Sequence, residues 1–221
     1  MSNNIRLIGE MHPKFVVSAL SEVVDWGQTS SHIGEYQKNA NTLGEGIKVA
    51  VLDTGVDTEH PDLKPNLKGA MDFTGCGVRD TVVAHGSHVA GIIAAAADGV
   101  GVIGIAPHCD LYSGRVLDDE GTCPGDYGWI IQGIQWAITQ GVDIINLSLG
   151  SPNESPQAVH AAIQAAVAAG IIVVVAAGND GQASLNWPAR YPESLAVAAI
   201  DKDGHLANFS NWGEGLGVVA P

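Results

Sequence analysis

The feature that most constrains this chain is an alternation. From Gly46 to Val219, short apolar runs rich in β-branched residues take turns with longer segments whose apolar residues recur at helical spacing. Residues 47–52 are a short apolar run rich in β-branched residues and read as a strand, 142–147 and 171–176 read as further strands, 111–117 is a plausible strand, and 195–199 and 217–219 are shorter candidates. Residues 88–97 are Ala- and Ile-rich and read as a buried helix. In 129–140 the residues Ile130, Ile131, Ile134, Ala137 and Ile138 mark one helical face, and Gly141 is expected to end that helix in the left-handed conformation. Ser155 is expected to cap a further helix that starts at Pro156, runs to about 169 and ends at Gly170. Strands apolar on both faces, separated by helices, specify an α/β fold: a mostly parallel, doubly wound sheet with helices on both faces. Residues 1–46 differ. They mix short apolar runs with polar stretches, show no long periodic segment, and read as an N-terminal extension packed on a body formed by 47–221.

Composition narrows the function. Of 221 residues, 24 are acidic and 10 basic, a formal charge of −14. Phosphate and anionic lipid binding rest on Lys and Arg, so nucleic-acid and membrane-surface roles are disfavoured. No window reaches the roughly 18 apolar residues of a spanning helix, and the start of the chain has no apolar block of signal-peptide length. The three cysteines, Cys76, Cys109 and Cys123, have no framework spacing and fit a reducing compartment. The expected location is cytoplasmic.

Parallel α/β sheets carry their chemistry outside the carboxyl ends of the strands. Asp53-Thr54-Gly55, Ser148-Leu149-Gly150 and Ala177-Gly178-Asn179-Asp180 lie there, each with an ordinary alternative account as a turn. His85-Gly86-Ser87-His88 opens the first helix of the body, where the positive end of the helix dipole disfavours an imidazolium. A residue placed against propensity invites a functional reading at His85, whereas His88, one turn in, reads as a buried core histidine. An acid, an imidazole and an amide converging at one rim suit acyl transfer. The carboxylate fixes the imidazole tautomer, the imidazole moves a proton, and the amide donates to a developing oxyanion. His85 and His88 stand three apart with no intervening glutamate, unlike the zinc-hydrolase helix.

These segments occur in one order with His60-Pro61-Asp62-Leu63, Gly104-Ile105-Ala106-Pro107, Phe209-Ser210-Asn211 and Val219-Ala220-Pro221, and the whole resembles the subtilisin-like serine proteases. Ile5-Arg6-Leu7-Ile8 resembles the opening of the intracellular branch, although Gly9-Glu10 stands where that branch has Pro-Tyr. The resemblance implies a serine endopeptidase acting on polypeptides. Asp53 would be the triad acid, His85 the general base and Asn179 the oxyanion donor. Ser148, Leu149 and Gly150 would form one edge of the substrate cleft, and Gly121 and Thr122, with Cys123 as a departure, the other. It also implies a structural Ca²⁺ held by the Asp62 and Asp98 carboxylates and the carbonyls of Ala96, Val100 and Val102, with Asp98 replacing the family's usual amide. Residues 1–46 would be an inhibitory extension or simply a packed arm.

The family's nucleophile lies in Gly-Thr-Ser-Met-Ala, which this sequence lacks. The serine is expected beyond residue 221. A C-terminal fragment of the same protein, or a dimer partner, would then complete the body. The alternative is a catalytically inactive, peptide-binding or inhibitory homologue.

Overall fold

The computed structural model describes residues 6–7, 21–75, 84–118 and 126–221. Its elements are β1 (Arg6–Leu7), α1 (Trp26–Ser30), α2 (Ile33–Ala40), β2 (Lys48–Asp53), β3 (Leu67–Asp72), α3 (His85–Ala94), β4 (Asp110–Arg115), α4 (Tyr127–Gln140), β5 (Ile144–Leu147), β6 (Leu149–Gly150), α5 (Gln157–Ala168), β7 (Ile172–Ala176), β8 (Ser194–Ala199) and β9 (Leu216–Ala220). Seven strands make one sheet in the order β3-β4-β2-β5-β7-β8-β9, and every pairing in it is parallel. β6 stands apart and pairs antiparallel with β1.

The pleat sends alternate residues of β2 to opposite faces. Ala50 and Leu52 join Ile145, Leu147, Val173 and Val175 against α4 (Ile130, Ile134, Ala137) and α5 (Val159, Ile163, Ala166). Val49 and Val51 join Leu111 against Ala90 and Ala94 of α3. Helices therefore cover both faces, as the apolar strands require. Each fully buried Leu or Ile contributes about 1.5–3 kcal/mol. Asp53 is next in the series 49, 51, 53, so the alternation itself aims its carboxylate at the α3 face.

Local chemistry explains most boundaries. Asp126 caps α4 by accepting from the Gly128 N–H at 2.8 Å, and Gly141 closes it at φ 64° with its N–H on Ala137 and Ile138 carbonyls. Four expectations need correction. Ser155 does not cap α5: the helix starts at Gln157 with no side-chain cap, and the Ser155 hydroxyl pairs with the Tyr191 hydroxyl at 2.8 Å. α3 ends at Ala94, not at 97, because Ala95 turns to ψ 136° and the Ala96 N–H goes to the Asp62 carbonyl. β3 was not expected. Its sequence, Leu-Lys-Gly-Ala-Met-Asp, lacks β-branched residues because it is a half-exposed edge strand. The stretch before β2, aperiodic in sequence, holds the short helices α1 and α2. It lies along the 99–105 loop through Val23 bridging Val102, and through Gln28 and Gln37 side chains donating to the Ile103 and Ile105 carbonyls.

Candidate active site

Asp53 ends β2 and is fully buried. Its Oδ1 accepts the Thr54 N–H at 2.7 Å and meets His85 Nδ1 at 2.7 Å. Its Oδ2 is buried with no hydrogen-bond partner among the described residues. A desolvated carboxylate in this position favours a cation beside it. With Asp53 ionised, the Nδ1 hydrogen of His85 points at the carboxylate and Nε2 becomes the basic nitrogen of the ring. This geometry allows the imidazole to take a proton at Nε2 while the carboxylate stabilises the resulting charge.

Three features seat His85 there. Ala84, the N-cap of α3, lies in the left-handed region at φ 52° and offers no side-chain cap. The orphan N–H of Gly86 is instead accepted by Thr54 Oγ1 at 3.0 Å, a cap supplied from the end of β2. Gly86 is obligatory, because a Cβ there would lie 1.9 Å from the Gly55 carbonyl oxygen. The dipole objection to a histidine at a helix start is met by the buried carboxylate it faces. His88, expected as a buried core histidine, stands exposed on the outside of α3. Partial burial of its ring, and secondarily the charge of His85, hold its pKa below the usual value. Arg115 pairs in register with Asp53 on the neighbouring strand and is itself buried, 3.6 Å from Asp118.

The neighbouring strand ends complete the rim. β5 and β7 follow β2 in the sheet, so the residues after them stand beside Asp53 at the carboxyl edge. Ser148 and Asn179 line an open cleft of about 280 Å³ with Asn146, Gly178, Phe209 and Ser210. Two serines there already have structural partners. Ser148 Oγ accepts from Asn146 Nδ2 at 2.9 Å, and Ser210 Oγ accepts from the Ala199 N–H at 2.9 Å and donates to the Asn211 carbonyl. Leu149 and Gly150, the expected cleft edge, are the strand that β1 joins: Arg6 pairs with Gly150 and Leu7 with Leu149. Gly121, Thr122 and Cys123 lie outside the described residues. Cys109 is buried, and burial pushes its thiol up to about 11, which leaves it unreactive.

Of the five expected calcium residues, Ala96 and Val102, in the loop that follows α3, meet Asp62, and Asp98 bonds its neighbour Val100. The Asp62 carbonyl takes the Ala96 N–H at 2.8 Å, its carboxylate takes the Val102 N–H at 3.4 Å, and Asp98 takes the Val100 N–H at 3.1 Å. Gly101 packs so tightly on the Asp62 carboxylate that a Cβ would lie 2.5 Å away. The carbonyls of Gly99 and Gly101 accept from the Glu22 and Val23 N–H groups. Those of Ala96, Val100 and Val102 take no hydrogen bond from any described residue, and carbonyl and carboxylate oxygens are the donor type a hard cation takes. No group of three His, Cys, Asp or Glu side chains arranged for a metal occurs among the described residues.

Sequence reasoning missed the roles of Thr54 and Gly86, which depend on partners far along the chain and leave no mark in hydropathy or spacing.

The structure thus presents a parallel sheet covered by helices on both faces, with a buried carboxylate–imidazole pair at its carboxyl rim. The subtilase family model matches residues 44–221, and the chain belongs to that family. It is 46% identical over 190 residues to the intracellular serine protease of Paenibacillus polymyxa, covering 81% of this chain and 57% of that protein. It is 43% identical over 184 residues to subtilisin E of Bacillus subtilis (strain 168), covering 80% and 47%. Against the alkaline protease of Alkalihalobacillus alcalophilus it is 42% identical over 206 residues, covering 93% and 52%. The chain spans about half the length of these relatives. Among the described residues no helix is long and apolar enough to cross a membrane.

Proposed function

We propose that this chain carries the acid, the base and the oxyanion donor of a serine endopeptidase, with the serine supplied by a segment beyond residue 221. The observation that carries the reading is the buried 2.7 Å contact between Asp53 Oδ1 and His85 Nδ1 in a subtilase scaffold. In this reading His85 Nε2 takes the serine proton as the hydroxyl attacks the peptide carbonyl, then returns it to the leaving amine. Asp53 holds the tautomer and balances the imidazolium. Asn179 donates its side-chain N–H to the oxyanion. Ser148, Leu149 and Gly150 pair with an extended substrate on one side of the cleft, and Gly121 and Thr122 on the other. The full-length gene product should be labelled covalently by a fluorophosphonate and should cleave a peptide substrate. A folded full-length product that resists labelling rejects the reading and favours an inactive peptide binder. The relative named as an intracellular protease supports a cytoplasmic setting.

Residues 1–46 act in this reading as an inhibitory extension. The support is the antiparallel pairing of Arg6 and Leu7 with Gly150 and Leu149, the strand assigned to substrate. Removing residues 1–20 keeps the Val23–Val102 bridge and should raise the cleavage rate of a short peptide. An unchanged rate makes the segment a packed arm only.

Calcium is assigned a structural role. Asp62, Asp98 and the Ala96, Val100 and Val102 carbonyls would hold it, and its charge would tie the 96–102 loop to the turn bearing Asp62. Chelation should lower the unfolding temperature, and Asp98→Ala should remove most of that sensitivity.

A further inference from the structure

We infer that Asn211 is a positioning residue that holds the Asn179 turn from behind, an inference that rests on reading Asn179 as the oxyanion donor. Asn179 is exposed at the cleft, but the turn that carries it is gripped on both sides. Asn211 lies between β8 and β9 and is only 1% exposed. Its Oδ1 accepts two backbone N–H groups, from Asp180 at 2.9 Å and Gln182 at 3.2 Å. Its own backbone N–H donates to the Gly178 carbonyl at 2.9 Å, and its Nδ2 reaches Asp180 Oδ2 at 3.5 Å. Asn186, also buried, donates Nδ2 to the same Asp180 oxygen at 2.9 Å and its backbone N–H to the Ala177 carbonyl at 2.8 Å. Residues 177, 178, 180 and 182, on both sides of residue 179, are thus each tied to one of two buried amides.

The residue type is specific. The site needs an acceptor for two N–H groups and a donor facing a carboxylate, which a primary amide supplies from one side chain. An apolar side chain of similar size would leave two N–H groups without their acceptor, and a carboxylate would stand against Asp180. The turn is built around this amide: Gly178 has φ +117°, and a Cβ on it would lie 2.3 Å from Asn211 Nδ2 and 2.7 Å from Asn186 Nδ2. Asn211 is held in turn by Ser210, whose hydroxyl links the Ala199 N–H to the Asn211 carbonyl. The Phe209-Ser210-Asn211 segment therefore acquires a task that the triad does not explain. An oxyanion donor is effective because it is aimed before the charge develops, and small misplacements of such groups cost rate rather than binding.

The experiment is a double-mutant cycle on the active full-length polypeptide with a peptide substrate. Removing an oxyanion donor costs about 10²–10³ in kcat, a magnitude known for this family. Asn179→Ala should show that loss. Asn211→Ala should lower kcat about tenfold, a fraction of the donor effect, with KM within about twofold. In the Asn179→Ala background the same substitution should change kcat by less than about twofold, because the group it aims is gone. Asn211→Ser, which keeps a hydroxyl acceptor, and Asn186→Ala, which removes one tie to Asp180, serve if Asn211→Ala does not fold. Each should show the same collapse in the Asn179→Ala background. Equal kcat losses in both backgrounds, or no loss in the parent, overturn the inference and leave the donor role standing. An Asn179→Ala enzyme with parental kcat overturns the donor role and this inference together.

Discussion

Two strand ends at one rim are built on opposite plans. At the end of β2, Asp53 and His85 are both buried, and the sheet and α3 close over a carboxylate–imidazole pair. At the end of β7, Asn179 is exposed, and the burial is transferred to neutral amides beneath it, Asn186 and Asn211. In the proposed reading the difference follows from what each side must do. A general base gains from a desolvated carboxylate, because low polarity strengthens the field that the imidazolium feels. A hydrogen-bond donor for a transient anion needs no charge of its own. It needs access to the substrate and a fixed direction, so its support is neutral and lies behind it. The first end is ordered by electrostatics and close contact, the second by saturation of backbone hydrogen bonds.

The sharpest way to break this comparison is catalytic. His85→Ala in the full-length enzyme should lower kcat by about 10⁶-fold, against about 10²–10³ for Asn179→Ala, both magnitudes known for this family. Equal losses would mean that the two ends are not functionally distinct. Next in size is Gly86→Ala. With the Gly55 carbonyl in the way, α3 must shift and carry His85 off Asp53, at about 3 kcal/mol of stability. A denaturant midpoint near the parent's would show that the close approach is not rigid. Thr54→Val removes the borrowed cap of α3 and should cost about 1–2 kcal/mol, with most recovered in Thr54→Ser. A Thr54→Val protein as stable as the parent would show that α3 needs no cap from β2.

The smallest effect lies away from the rim and serves as a control. Glu45 bonds His108 at 2.7 Å, and that contact, with the Leu43 N–H and the Thr42 hydroxyl, lowers its pKa from 4.5 to about 2. A depressed carboxylate contributes stability that is complete above 4.5 and lost as pH falls toward 2. Glu45→Gln should flatten the acid limb of stability slightly between those values. Because Glu45 is fully exposed the change should be small and should shrink in salt. A large salt-independent change would mean that the stretch before β2 matters more to the body than its few contacts suggest.

Much of the fold was legible because its signals are local. Short runs rich in β-branched residues marked β2, β5 and β7, and helical spacing marked α4, within two residues of their observed bounds. β3 and the short helices α1 and α2 were illegible, since an edge strand and two helices with few buried residues carry little hydrophobic pattern. Asp53 and His85 could be paired from strand ends and motif order. Ser155 was misread because a good capping residue found a better partner, Tyr191, across the fold.

Taken alone, the sequence determined the layered α/β architecture, the rim that carries Asp53 and His85, and the residue types gathered there. Those follow from periodicity and turn chemistry, which act over a few residues. The tertiary structure decided which buried donor meets which acceptor: Thr54 with Gly86, Asn211 with Asp180 and Gln182, β1 with β6. Such partners lie about 30 or more positions apart, and only sheet register and helix docking bring them within hydrogen-bond distance. A polar side chain states what it can bond, and the packed fold selects the group it does bond.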